Sequence, residues 1–189
     1  KEKYNNNEYT SGRLLTKNKK TFTYGRIEAR IKFPGGKGTW PAFWMMGNSG
    51  NWPNCGEIDI MEHVGSIPNR ASFALHTVEK NGTRGNNWHS TKMFDYSLAD
   101  DFHTYAVEWA QEEKDGKDVI RFFVDGVQYA EQWETKIDNN DSWPFNKPHF
   151  IILNLAIGGT MGGSVDDAIF NVPRIMYVDY VRVYQRTEK

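Results

Sequence analysis

The chain has 189 residues, a length that suits a single hydrophobic core, and its 23 Lys+Arg against 24 Asp+Glu leave a formal net charge of −1. That balance gives no electrostatic footing for a nucleic-acid partner or an acidic membrane surface, and no apolar stretch approaches the roughly 20 residues of a spanning helix. The single cysteine, Cys55, excludes an intrachain disulfide.

Taken in chain order, the elements read as strands. Residues 24–33 alternate: Ile27, Ala29, Ile31 and Phe33 share one face, and Arg26, Glu28, Arg30 and Lys32 share the other. Pro34 sits at the strand exit, where its missing N–H does no harm, and a glycine-rich turn runs on to Gly38. Further strands are expected at residues 42–46, 57–63, 71–76 and 102–109, with turn-rich stretches at 47–56 and 81–87. Residues 119–124, Asp125-Gly126 and 127–129 read as a hairpin with a primed turn. Strands at 150–157 and 178–184 flank the glycine-rich segment 158–163. With no long amphipathic helix, repeat or low-complexity linker, the expected fold is all-β: one domain over residues 1–189, built as a sandwich of two antiparallel sheets.

Seven Trp, nine Tyr and eleven Phe fit two readings, aromatic pairs in a sandwich core or flat faces that stack on sugar rings. Position must decide between them. Asn81-Gly82-Thr83 and Asn140-Asp141-Ser142 match the glycosylation sequon.

Gly56-Glu57-Ile58-Asp59-Ile60-Met61-Glu62-His63 is the most informative segment. Glu57 and Asp59, two apart, project from one face of a strand; Glu62, five from Glu57, points the opposite way if the strand is regular. One extra residue, most simply Met61, makes a β-bulge that returns Glu62 to the Glu57 face, while Ile58 and Ile60 pack into the core behind. Three like charges on one strand are costly unless protons are shared. That arrangement suits retaining glycoside hydrolysis, in which one carboxylate attacks and another carboxyl, its pKa raised, protonates the leaving oxygen. An exposed acidic strand or a cation site is the competing reading.

Glu57-Ile58-Asp59-Ile60-Met61-Glu62-His63-Val64-Gly65 resembles the active-site signature of glycoside hydrolase family 16, and within it the laminarinases, which are endo-β-1,3-glucanases. Segments beginning at Tyr9, Tyr24, Gly38, Asp101, Asn154 and Val178 match in order, so the resemblance runs from Tyr9 to Gln185. It implies a jelly roll with a concave substrate cleft and a secreted enzyme acting on a β-glucan polysaccharide, without a cofactor in the chemistry. It implies Glu57 as nucleophile, Glu62 as general acid and then base, and Asp59 as the group tuning the nucleophile. Trp40 and Trp44 match sugar-stacking positions, Arg26 and His76 match residues that contact sugar hydroxyls or the leaving group, and Trp52 is placed to rim the cleft. A structural calcium is implied on the convex side, with Asp179 as its one nameable ligand.

The bulged spacing resembles laminarinases, agarases and carrageenases more than mixed-linkage glucanases. A glucan-recognition domain is the alternative outside the enzyme class; such relatives have generally lost the carboxylates that are present here. Relatives normally begin some tens of residues earlier with a strand pair, so the expectation is a monomer completed by a missing N-terminal fragment, or else unpaired sheet edges.

Overall fold

The computed structural model describes residues 3–111, 116–134 and 143–186. Among the described residues, eleven strands form two antiparallel sheets. In chain order they are β1 (Arg13–Leu15), β2 (Gly25–Lys32), β3 (Thr39–Gly47), β4 (Glu57–Glu62), β5 (Arg70–His76), β6 (Trp88–Met93), β7 (His103–Gln111), β8 (Asp118–Val124), β9 (Val127–Trp133), β10 (His149–Ile157) and β11 (Tyr177–Tyr184). One sheet runs β1-β10-β3-β4-β5-β6 and the other β11-β2-β7-β8-β9. This is the two-sheet sandwich expected from the alternation of apolar and polar residues.

Each strand forms where period-two patterning gives it one apolar face. Ile27, Ala29 and Ile31 of β2 are fully buried and meet Phe43 and Met45 of β3, Ile58 of β4 and Val107 of β7 in one continuous core. The β8–β9 hairpin turns at Asp125 and Gly126, both at positive φ (49° and 79°), which is the primed turn that the right-handed strand twist favours. Two strands escaped the sequence reading. β1 has three residues, too few for a period, and in β6 the residues Trp88-His89-Ser90-Thr91-Lys92-Met93 alternate only between half-buried and exposed.

Asn81 of the first sequon is 2% exposed, and its amide nitrogen donates to the Thr77 and Val78 carbonyls, so the atom that would carry a glycan is enclosed. The second sequon lies outside the described residues.

Candidate active site

β4 lies at the inside of the six-stranded sheet, and its register defines the site. Against β3, Met46 pairs with Glu57, Met45 with Ile58 and Trp44 with Asp59, whereas the next pairs are Phe43 with Met61 and Ala42 with Glu62. Ile60 therefore has no partner on β3. Against β5 the same interruption falls between Asp59–Ala74 and Glu62–Ser72. The expected bulge exists, and the unpaired residue toward β3 is Ile60 rather than Met61. Both side chains are fully buried, so the core absorbs two successive residues and the following glutamate returns to the outer face.

Glu57, Asp59 and Glu62 accordingly line one cavity of about 410 Å³, together with Trp40, Ala42 and Trp44 of β3 and Asn154, Leu155 and Ala156 near the end of β10. Trp40 and Trp44, four apart on one strand, stand on the same face. The Trp40 indole N–H donates to Glu62 Oε1 at 3.0 Å, and the Trp44 indole N–H donates to Asn154 Oδ1 at 2.7 Å. The Arg13 guanidinium lies 4.8 Å above the Trp44 ring. Asn154 and Arg13, which are paired across β10 and β1, were missed as site residues. The signal for Asn154 was an amide in the otherwise apolar run Phe150–Ile157; for Arg13 it was only its place in the matching segment that begins at Tyr9.

His76 pairs with Glu57 across β4 and β5, and its Nε2 lies 3.1 Å from Asp59 Oδ2 and 3.9 Å from Glu57 Oε1. It meets the carboxyl groups themselves. The Trp52 ring, 39% exposed, leans over His76 at 6.0 Å between centroids.

Burial dominates the electrostatics. It pushes Glu57 up to about 8, with the Asp59 charge adding to the effect and His76 and Trp52 opposing it. Asp59, almost wholly enclosed, is raised by burial and by the charge of Glu62, against a hydrogen bond with Glu57. Glu62 is raised by burial and by Glu57, while the Trp40 N–H favours its charged form. Three carboxyls so placed share protons at neutral pH and titrate as a set. Such a coupled set can hold a carboxylate beside a carboxylic acid, which is what acid-assisted displacement at an acetal carbon requires.

Two expected site residues are elsewhere. Arg26 belongs to β2, in the other sheet, where it bonds Glu28 at 3.0 Å and Glu108 at 2.9 Å and lies over Phe123. It makes a cross-strand ion pair and does not touch the carboxylate cavity; alternation assigns a residue to a face but not to a sheet. Asp179 sits on the edge strand β11 with Arg30 at 2.9 Å. A carboxylate already matched to a guanidinium is a poor start for a calcium site, which needs several oxygen ligands. Among the described residues the one trio with metal-ligand spacing is Glu57, Asp59 and His76.

This arrangement has relatives. The chain is 41% identical over 198 residues to a β-glucanase of Rhodothermus marinus, an alignment covering 99% of this chain and 66% of that protein. It is 36% identical over 189 residues to glucan endo-1,3-β-glucosidase A1 of Niallia circulans, covering 94% of this chain and 26% of that one. The X-ray structure of the laminarinase from Rhodothermus marinus superposes with a TM-score of 0.88 at 41% identity, over 99% of this chain and 75% of that chain. This chain thus spans just under two thirds of the first relative's length and about a quarter of the second's. The model of the glycosyl hydrolases family 16 matches residues 2–178, a span that includes every strand lining the carboxylate cavity, and the chain belongs to that family.

Proposed function

We propose that this chain is the catalytic unit of an endo-acting hydrolase that cleaves internal β-1,3 linkages of laminarin-like glucans with retention of configuration. The observation that carries the reading is the bulge at Ile60-Met61, which turns Glu62 to the same cavity as Glu57 and Asp59 between two indoles.

In the first step the Glu57 carboxylate attacks the anomeric carbon as the bond to the leaving oxygen breaks, and Glu62 delivers its proton to that oxygen. In the second, Glu62 takes a proton from water, whose oxygen displaces Glu57 from the glycosyl–enzyme ester. In the empty site burial and the hydrogen bond with Asp59 favour the proton on Glu57; for attack Asp59 takes that proton, leaving Glu57 as the carboxylate. Burial favours the neutral forms, so the empty site carries fewer charges than carboxyl groups, and the cationic transition state is met by charge released at that moment. None of these steps calls for a cofactor. Trp40 and Trp44 supply flat faces for the sugar rings on either side of the cut. A polymer substrate argues for a secreted protein, since long glucans are met outside the cell.

The linkage reading draws on the names of the relatives, a β-glucanase and a glucan endo-1,3-β-glucosidase. Product analysis on laminarin, mixed-linkage glucan and agarose tests it. Oligosaccharides released from laminarin with the β-configuration retained are expected. Release from agarose alone overturns the substrate, and inverted products overturn the mechanism. Glucan binding without release of sugar from any polymer would make this a recognition domain.

A further inference from the structure

His76 has two ring nitrogens with different company. Nδ1 accepts the backbone N–H of Gly82 at 3.0 Å. Nε2 faces Asp59 Oδ2 at 3.1 Å and Glu57 Oε1 at 3.9 Å. A backbone N–H can only donate, so Nδ1 must present its lone pair, and the proton of a neutral imidazole then sits on Nε2.

We propose that the Gly82 N–H fixes His76 in its Nε2–H tautomer, making it a hydrogen-bond donor that positions the Glu57–Asp59 pair rather than a metal ligand.

The loop that aims this N–H is tied down. Asn81 is buried; its amide nitrogen donates to the Thr77 and Val78 carbonyls at 3.1 and 3.0 Å, and its Oδ1 accepts the Arg84 N–H at 3.2 Å. The Asn81 N–H in turn donates to Asn86 Oδ1 at 3.1 Å. Every bond of this set fixes residue 81, and so the direction in which residue 82 points its donor. Glycine at 82 lets the backbone come this close: a Cβ there would stand 3.3 Å from His76 Cε1.

Two further observations select the donor role. Glu57, Asp59 and His76 present ligand atoms within 4.8 Å of one another, which is metal-site spacing. A metal would need the Nε2 lone pair, however, and moving the proton to Nδ1 would set two N–H groups against each other at 3.0 Å. Asp59 Oδ2 is also buried with no well-aligned hydrogen bond, so it lacks a donor that Nε2–H is 3.1 Å away from supplying. Catalytic hydrogen bonds of this kind are often misaligned without substrate and tighten when it binds.

The effect on turnover rests on the hydrolase reading above; the tautomer does not. Long-range proton–nitrogen NMR of the parent chain reads the tautomer directly, with His76 assigned by the signal lost in His76→Gln. The expected pattern is a protonated Nε2 and an acceptor Nδ1, unmoved by added Zn²⁺. A protonated Nδ1, tautomer averaging, or an Nε2 signal that shifts with Zn²⁺ overturns the proposal. Turnover on laminarin then separates donor from filler, because Gln carries its amide at the ε position and Asn at the δ position. With both variants folded by circular dichroism, His76→Gln should keep kcat within about tenfold of the parent and His76→Asn should lose about a hundredfold, one hydrogen bond to a charged group being the difference. Equal losses overturn the donor role. If the parent releases no sugar from any glucan, the hydrolase reading fails while the NMR result still decides the tautomer.

Discussion

The middle of the six-stranded sheet and its β1 edge obey the same alternation with opposite results. At β4 every inward side chain is enclosed: Ile58, Ile60 and Met61 are fully buried between neighbours on both sides. At the edge, Leu14 lies opposite Leu153, which in turn lies opposite the fully buried Phe43, so Leu14 is on the core face, yet it is 72% exposed. The other sheet repeats this at its own edge. Val178 and Val181 of β11 pair with the buried Ile31 and Ala29, and they are 38% and 39% exposed. Apolar patterning assigns a face, and only a second neighbour gives that face something to pack against. The centre can therefore hold a bulge and three costly carboxyl groups, because packing on every side over-determines them. The β1 and β11 edges have no such surplus among the described residues, and both present unpaired backbone.

The contrast can be broken most severely at the centre. Glu57→Ala should abolish turnover on laminarin, by about 10⁴-fold or more in kcat; parent-like rates would remove Glu57 as nucleophile. Deleting Ile60 leaves Glu62 four residues from Glu57, an even spacing that keeps it on the cavity face of a regular strand, so turnover should fall far less than in Glu62→Ala while circular dichroism still reports a β-sandwich. A deletion variant as inactive as Glu62→Ala would mean that more than the facing of Glu62 depends on the bulge. Glu62→Ala itself should cost about 10²–10⁴-fold on polysaccharide and much less on an aryl glycoside whose leaving group needs no proton.

Stability should move the other way from activity. Glu57 titrates near 8 in the folded chain against an ordinary value of 4.5, so between those values the folded state holds more protons than the unfolded one and loses stability as pH rises. His63 and His149, both lowered by burial from 6.5 to about 4, do the opposite and cost stability as pH falls through that interval. Glu57→Gln should therefore melt higher than the parent at pH 8, by about 2–4 °C for each kcal/mol relieved, with the gap closing toward pH 5. A gap that is constant with pH would mean the carboxyl is not the strained group. The smallest effect belongs to the edge. Leu14→Ala should cost no more than about 0.5 kcal/mol in denaturant unfolding, against about 3–5 kcal/mol for Phe43→Ala. A loss at Leu14 as large as at Phe43 would show that something covers the edge in solution.

Most of the architecture was legible because one physical rule wrote it. The alternation from Arg26 to Lys32, the Asp125-Gly126 turn and the β-branched run Val178 to Tyr184 each state their structure locally, through a buried face or a required φ. The spacing of Glu57, Asp59 and Glu62 implied a bulge, since the three face one way only if the strand slips by one residue. It did not say which residue slips; that depends on whether the β3 neighbour pairs with Ile60 or Met61. Arg26 matched a sugar-contacting position only by resemblance, and its sheet is decided by pairing with a strand some 80 residues away in sequence. Arg13, on a three-residue strand, joins the cavity only because β1 lies against β10. His76 was visible as a residue of interest, but its tautomer depends on a backbone donor brought in by the Asn81 loop. The sequence alone decided which side chains avoid water and where the chain must turn. Tertiary structure decided which polar atoms meet, because hydrogen bonds and pKa shifts depend on neighbours that only long-range strand pairing brings within 3 Å.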